Sequence, residues 1–224
     1  MDLIVYSVLF WIFAFIFIIV RMRSLQKSTW TTVLKAIPAL LAAVFAITSG
    51  SFTFFYSLLF LALLLCMLGD IGMELNIIKG LGLFLIAQII FTSNFFIQSN
   101  LLGLSIFPLS IFALGLIGIL IFFLFYHRYL QTSEETIHPK ILRVIDIYAI
   151  IISLTLSTSL LIWLTSNAIL GFIPFVGVLF FVISDSLIGI REFHHRFQYD
   201  RVITVFTYYV AIFLLSLGAI IFIF

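Results

Sequence analysis

The chain has 224 residues, of which 64% are hydrophobic and 9% are charged, and its formal net charge is +2. Because soluble domains carry about 25% charged residues, this composition excludes a soluble globular enzyme. A single cysteine excludes a disulfide-stapled secreted domain, and the near-neutral charge argues against nucleic-acid binding. The remaining class is a polytopic helical membrane protein.

Apolar runs of about 20 residues, the length that a helix needs to cross the hydrocarbon core, follow one another along the chain. In chain order, the predicted spans lie at about residues 3–20, 34–49, 52–70, 77–97, 101–126, 141–164, 168–190 and 202–224. The loops are short, so we expect one transmembrane domain over residues 1–224. The predicted fold class is all-α, a bundle of eight transmembrane helices.

The basic residues occur only in alternate loops or at their edges. They are Arg21, Arg23, Lys27, Lys35, Lys79, Arg128, Lys140, Arg143, Arg191, Arg196 and Arg201. The intervening segments 48–53, 97–101 and 164–168 hold none. By the positive-inside rule, this split predicts that both termini lie outside. For a prokaryotic source, the expected location is the plasma membrane.

Two aspartates lie within the predicted hydrocarbon zone. Asp70 follows a long apolar run in the third span, and Asp185 lies within the seventh span. Ionisable groups inside a membrane are costly, so each one needs a reason. The two spans run in the same direction, and both carboxyl groups are expected at similar depth near the inside end. The functional interpretation is a carboxylate pair for acid–base work or cation binding, and the alternative is that each ends a helix at the headgroups.

Two further charged residues lie near these aspartates. Glu74 lies one helical turn after Asp70 and shares its face if the helix continues, but a solvated loop is the simpler expectation. Lys35 precedes Pro38 at the start of the second span. We expect its ammonium to reach the interface, with pairing to Asp70 or Asp185, or binding of a lipid phosphate, as the alternatives.

Three uncharged polar residues are candidates for substrate contact. Gln88 lies deep in the fourth span and needs a hydrogen-bond partner, which is either another helix or a substrate. Tyr208 lies too deep in the eighth span for an aromatic belt. Its hydroxyl either reaches the carboxylates, or its ring packs in the core. Ser184 directly precedes Asp185 and is the third candidate.

Other chemistries receive little support from the sequence. The histidines are His127, His138, His194 and His195. All four fall in inside loops, with no cysteine partner nearby and no helical H-x-x-x-H pattern, so we expect no metal site. The hydroxyl-rich run at 153–159 has no neighbouring His/Asp partner, so we do not expect a serine hydrolase.

Several segments together resemble the YhhN family of integral membrane proteins, which includes the lysoplasmalogenases. They are L-K-A-I-P (34–38), G-D-I-G-M (69–73), G-L-G-L-F-L-I-A-Q-I-I-F (80–91), G-V-L-F-F-V-I-S-D-S-L-I-G-I-R-E-F (177–193) and T-Y-Y-V-A (207–211). Their order and spacing cover nearly the whole chain, and S-D-S-L is the most specific part. The resemblance also implies eight spans.

The resemblance implies hydrolysis of the vinyl ether bond of a lysoplasmalogen, which yields a fatty aldehyde and a glycerophospho-base. The family's two aspartates correspond to Asp70 and Asp185, the implied catalytic pair. One carboxylic acid must protonate the outer alkene carbon, and the other carboxylate must stabilise the oxocarbenium ion and take a proton from water. Asp185 is the expected acid because its sequence position places it deeper, although the reverse assignment stays open. No metal or organic cofactor is required, and the expected partners are a lysophospholipid and membrane lipids.

Three positions depart from the family pattern: Gln88 replaces a frequent His, Phe91 replaces Tyr, and Ile212 replaces Gln. These replacements remove polar groups from the expected pocket wall and bear on the substrate more than on the fold. The alternative function is a non-enzymatic lipid-binding protein, or a proton- or cation-coupled transporter, that uses the same aspartates. Transporters favour helices broken beside the site, whereas Pro108 and Pro174 are expected near the outer ends.

Overall fold

The computed structural model describes residues 1–23, 28–49, 53–133 and 139–222, without the side chain of Lys140. The long helices are α1 (Leu3–Arg23), α2 (Thr29–Ser49), α3 (Phe54–Leu75), α4 (Ile77–Leu101), α5 (Ile106–Leu130), α6 (Pro139–Ser166), α7 (Phe172–Phe193) and α8 (Asp200–Ser216). A 3₁₀ turn at Ile169–Gly171 precedes α7, and a short helical turn at Gly218–Ile221 follows α8.

In the described part of the chain, eight helical segments are long and apolar enough to cross a membrane. The predicted all-α, eight-span fold is therefore confirmed, while the orientation of the termini stays a prediction. The predicted span start at 52 and the span end at 224 lie outside the described residues, as do Lys27 and His138.

The end of α3 differs from the prediction. The helix continues past Asp70 to Leu75, so Asp70 lies inside it and does not terminate it. Asn76 then separates α3 from α4, with an extended backbone and a side chain that accepts hydrogen bonds from the amides of Ile78, at 2.8 Å, and Lys79, at 3.4 Å. This cap satisfies amide groups that the first turn of a helix leaves free. A single residue therefore reverses the chain.

Small residues allow the helices to approach closely. The buried face of α2, which packs against α1 and α3, includes Ala36, Ala39, Ala42, Ala43 and Ala46. Helices in lipid gain little from the hydrophobic effect, so close van der Waals packing between small side chains is an important source of stability. The helix pairs α3–α4 and α7–α8 are also extensively packed, whereas α5 lies at the periphery, mainly against α6.

Polar side chains connect helices that are distant in sequence. The hydroxyl groups of Tyr6 in α1 and Ser216 in α8 lie 2.5 Å apart. The side-chain amide of Asn94 in α4 donates to the backbone carbonyl of Phe55 in α3 at 3.0 Å. Such bonds satisfy groups that have no water partner in the hydrocarbon core. They fix α1 against α8, and α3 against α4.

Candidate active site

A cavity of about 430 Å³, here called the vestibule, lies at the end of the bundle where α1, α3 and α7 end and α2, α4 and α8 begin. Its acidic lining residues are Asp70, Glu74, Asp185 and Glu192, and its basic ones are Arg21, Lys35, Arg191, Arg196 and Arg201. Both aspartates therefore line one cavity. The basic residues of four helix ends also meet there, at the end that the sequence predicts to be inside.

Asp70 is 1% exposed and is held by two side chains. The hydroxyl of Tyr208 donates to Oδ2 of Asp70 at 2.9 Å, and Nζ of Lys35 lies 3.7 Å from Oδ1. The ring of Tyr208 also packs edge-on against Phe84 and Phe181, with centroids 5.7 and 5.6 Å away. Both interpretations of Tyr208 from the sequence therefore hold, since its ring packs in the core while its hydroxyl reaches a carboxylate.

Lys35 and Glu74 occupy positions that the sequence did not favour. Nζ of Lys35 lies 3.4 Å from Oε1 of Glu74 and also donates to the carbonyl of Asp70 at 3.4 Å. Arg21 lies 3.7 Å from the other oxygen of Glu74. The Lys35 side chain is 12% exposed, so the expected orientation toward the interface is wrong. The expected loop position of Glu74 is also wrong, because α3 continues and its side chain is only 9% exposed.

The backbone of Lys35 is held by the residue that follows Tyr208. The hydroxyl of Tyr209 donates to the carbonyl of Lys35 at 3.0 Å. The T-Y-Y-V-A segment of α8 therefore positions both the carboxyl group of Asp70 and the helix turn that carries Lys35.

Asp185 has a different set of partners. The hydroxyl of Tyr148, in α6, donates to its Oδ2 at 2.5 Å. No basic side chain in the described ranges lies within ion-pair distance of Asp185. Its side chain is partly exposed, whereas Asp70 is almost fully buried. Eight residues of α7 follow Asp185 and five residues of α3 follow Asp70, whereas Asp70 is the more buried of the two, so the relative depth of Asp185 in the membrane stays a prediction.

Sequence reasoning missed Tyr148. A tyrosine inside a predicted span was itself a signal, because a buried phenolic hydroxyl normally finds a hydrogen-bond partner. The partner was not identifiable, since it depends on how α6 is rotated about its axis relative to α7. The cluster of arginines at the vestibule was missed for the same reason, although each had been assigned to an inside loop.

Ser184 and Gln88 serve in helix contacts. The hydroxyl of Ser184 lies at the vestibule wall, is fully buried and donates to the carbonyl of Thr204 in α8 at 3.0 Å. The carbonyl of Gln88 accepts a hydrogen bond from Thr155 in α6 at 3.1 Å, and its buried side chain lies beside Tyr148. Gln88 is therefore between α4 and α6, away from the vestibule wall that was expected for a substrate contact.

The departures from the family pattern also lie away from the vestibule. Phe91 and Ile212 are fully buried within the apolar core, and Gln88 is 1% exposed. The expectation that these replacements remove polar groups from the pocket wall is therefore wrong. They change the packing between helices and leave the lining of the vestibule unaltered.

A second, smaller space lies on the other side of Asp185. This lateral cleft, of about 50 Å³, is lined mainly by apolar side chains from α4, α5, α6 and α7. Asp185 and Ile188 line both the vestibule and the lateral cleft. Asp185 thus borders a charged cavity on one side and an apolar surface on the other, as expected for a site that binds an amphipathic molecule.

The two carboxyl groups differ in a way that suits acid–base chemistry. Asp70 faces an ammonium group, which favours its ionised form, whereas Asp185 accepts a hydrogen bond at one oxygen and faces no cation in the described ranges. A proton donor and a proton acceptor can therefore share the vestibule. Within the same ranges, no group of three or more His, Cys, Asp and Glu side chains is placed to hold a metal ion.

The chain was compared with protein families, curated proteins and solved structures. The model of the YhhN family matches residues 30–219. No curated protein and no solved structure matches the chain. The matched range contains Lys35, Tyr148 and Tyr208 together with the two aspartates, and it begins after α1, the helix that carries Arg21.

Proposed function

Because the chain belongs to the YhhN family, we propose that it is a membrane-embedded hydrolase that cleaves the vinyl ether bond of a lysoplasmalogen or a related single-chain ether lipid. The observation that carries the proposal is that Asp70 and Asp185 line one cavity yet have different partners. Vinyl ether hydrolysis needs both a proton donor and a proton acceptor, and it needs them at one place.

Asp185 is assigned as the acid. Tyr148 donates to its Oδ2, which leaves Oδ1 to carry a proton. No described basic side chain lies within ion-pair distance of Asp185, so its ionised form lacks the stabilisation that Lys35 gives to Asp70. In the reaction, this proton is transferred to the outer alkene carbon, and the carbon bound to oxygen becomes part of an oxocarbenium ion.

Asp70 is assigned as the base. The ammonium group of Lys35, 3.7 Å from Oδ1, favours the ionised form of Asp70, and Tyr208 fixes the orientation of the carboxyl group. Water adds to the oxocarbenium carbon while Asp70 takes the proton, which yields a neutral hemiacetal. The hemiacetal then returns its hydroxyl proton to Asp185, and Asp70 protonates the departing glycerol oxygen. One water is consumed, an aldehyde and an alcohol are released, and both carboxyl groups return to their starting states.

The dimensions of the vestibule suit a headgroup and a reacting water. Its volume of about 430 Å³ corresponds to about 14 water molecules at liquid density. A headgroup therefore fits in the vestibule, while the aliphatic chain extends past Asp185 toward the apolar lateral cleft. If the basic end lies inside, as the sequence predicts, the substrate comes from the inner leaflet.

The test is aldehyde release from a lysoplasmalogen by the purified protein in detergent. We expect Asp70→Asn and Asp185→Asn each to lower the rate by about 100-fold or more, the usual contribution of a positioned acid or base. Asp146→Asn is the matched control, because this aspartate pairs with His127, 2.7 Å away, and lies outside the vestibule. Wild-type rates in both site variants would refute the two-aspartate mechanism.

The same experiment separates hydrolysis from the alternative function. Lack of aldehyde release by the folded wild-type protein across a panel of ether lysolipids would favour a lipid-binding protein or a transporter. A folded state is verified in each case by a cooperative thermal transition, so that loss of activity is not confused with loss of structure.

A further inference from the structure

The cations of the vestibule are unequally neutralised. Three of them lie near carboxylates: Lys35 near Asp70 and Glu74, Arg21 near Glu74, and Arg191 at 2.8 Å from Glu192. These pairs use all the acidic lining residues except Asp185. The remaining two cations, Arg196 and Arg201, therefore give the vestibule an excess of positive charge. We call the part of the vestibule that these two residues line its mouth.

Arg196 and Arg201 have no carboxylate within ion-pair distance in the described part of the chain. Arg196 is exposed in the connection between α7 and α8, and Arg201 lies in the first turn of α8. The nearest acid in sequence, Asp200, uses its Oδ1 to accept a hydrogen bond from the backbone amide of Arg201, at 2.6 Å. Both guanidinium groups are thus available to a ligand in the vestibule.

The spacing along α8 relates these arginines to the carboxyl pair. Tyr208, which holds Asp70, lies seven residues after Arg201 on the same helix. At a rise of 1.5 Å per residue, this places the two residues about 10 Å apart along the axis. A glycerophosphate group has dimensions of the same order. A phosphate at the mouth therefore leaves the glycerol oxygen and the first chain carbons beside the carboxyl groups.

We propose that Arg196 and Arg201 form a phosphate-binding rim that holds the headgroup of a single-chain phospholipid in the vestibule. Guanidinium groups present planar N–H forks that match phosphate oxygens, and a pair of them outside any ion pair is suited to a dianionic or monoanionic headgroup. The rim selects lipids that carry a phosphate over neutral glycerol lipids with the same chain. The identification of the ligand as a single-chain phospholipid rests on the proposed function, whereas the presence at the vestibule of two arginines that are unpaired in the described ranges does not.

The phosphate groups of bilayer lipids and free inorganic phosphate could also bind two guanidinium groups. The test must therefore distinguish these ligands from a bound lysophospholipid. Purified protein in neutral detergent is heated with an acyl lysophosphatidylethanolamine, a monoacylglycerol of equal chain length, or inorganic phosphate. Stabilisation follows ligand binding by mass action. We expect the lysophospholipid to raise the Tm more than the other two ligands. We also expect R196Q/R201Q to weaken its apparent affinity about tenfold or more.

Arg128→Gln is the matched control. It removes one cation from the same end of the bundle, at an exposed position on α5 outside the vestibule, and should leave the affinity unchanged. Equal stabilisation by the monoacylglycerol, full affinity in R196Q/R201Q, or an equal loss in R128Q would each overturn the rim. Equal stabilisation by inorganic phosphate would overturn the assignment of a lipid headgroup as its ligand. Because Arg196 is exposed, R196Q alone provides the test if the double variant does not fold.

The acyl lipid contains no vinyl ether, so its binding does not depend on catalysis. Selective binding that requires both arginines, in a protein that releases no aldehyde, supports the rim and contradicts the proposed function. Equal hydrolysis of a lysoplasmalogen and of a phosphate-free 1-alkenylglycerol contradicts the rim and leaves the proposed function intact.

Discussion

Tyr208 donates a hydrogen bond of 2.9 Å to the carboxylate of Asp70, while its neighbour Tyr209 donates one of 3.0 Å to the backbone of Lys35. Consecutive residues on a helix point about 100° apart, so two adjacent tyrosines reach two different helices. They hold the acidic partner on α3 and the basic partner on α2. The carboxylate of Asp70 and the backbone turn that carries Lys35 are therefore both held from a third helix, α8.

Removal of the Tyr208 hydroxyl should affect catalysis more than folding. In Tyr208→Phe the ring contacts with Phe84 and Phe181 are retained, but Asp70 loses its hydrogen bond. A hydrogen bond to a charged group contributes about 1.5–3 kcal/mol, so we expect the rate of aldehyde release to fall by roughly tenfold to a hundredfold. Tyr129→Phe, at an exposed tyrosine on α5, is the control. A Tyr208→Phe variant with the rate of the control would contradict the positioning role.

Tyr148 should act through Asp185 alone. Tyr148→Phe removes the only side-chain donor to Asp185 in the described ranges, and we expect kcat to fall about tenfold with little change in KM. In the background of Asp185→Asn, the same substitution should have no further effect on the residual rate, because residues that act as a unit are not additive. Additive losses across this double-mutant cycle would show that Tyr148 contributes by another route.

Lys35 should matter for stability as well as for the site. Lys35→Met leaves the buried carboxylates of Asp70 and Glu74 without their shared cation. Breaking a buried ion pair typically costs about 3–5 kcal/mol, and we expect a lower unfolding free energy of this order in denaturant titrations. Lys79→Met, at an exposed lysine of α4, should be nearly neutral. The double variant K35M/D70N should regain part of the loss, and its failure to do so would show that the cost lies elsewhere.

Gly189 lies against the Tyr126 hydroxyl, which donates to the carbonyl of Ser186 at 2.8 Å. A methyl group at this position would overlap that hydroxyl, so Gly189→Ala should destabilise the protein by about 1–3 kcal/mol. Tyr126→Phe removes the overlapping atom and should restore stability in the double variant. Gly82→Ala, with no atom near the added methyl group, should be neutral or stabilising by up to about 1 kcal/mol. Thermal unfolding is measured for Gly189→Ala, for its double variant with Tyr126→Phe, and for Gly82→Ala. Equal destabilisation by Gly189→Ala and Gly82→Ala would contradict the steric explanation.

The helix count and the placement of the two aspartates were predictable from the sequence because lipid allows few solutions. A backbone in hydrocarbon must satisfy its own hydrogen bonds, so each long apolar run is a helix. The end of α3 was not predictable, since a charged residue normally marks the membrane boundary. Asp70 is an exception because Lys35 and Tyr208 compensate for its burial, and both partners come from other helices.

Rotation of the helices about their axes was the main information that the sequence lacked. A hydropathy pattern with apolar residues on all sides does not show which face of a helix points inward. This is why the sequence left Gln88 with two alternatives, a contact to another helix or a contact to substrate, and the structure shows the helix contact, with α6. It is also why the contact between Tyr148 and Asp185 was not predicted. Residue identity indicated which groups need partners, and only the packing showed which partners they have.

Cys66 is the only cysteine of the chain, and it is fully buried in α3. A polar thiol reagent that does not cross membranes should therefore leave the folded wild-type protein unlabelled, so single cysteines can be introduced without first removing the native one. Leu102→Cys and Tyr199→Cys would place reactive thiols at exposed positions on opposite ends of the bundle. Labelling of the first and protection of the second in intact cells would establish that both termini are outside, and the reverse pattern would invert the topology.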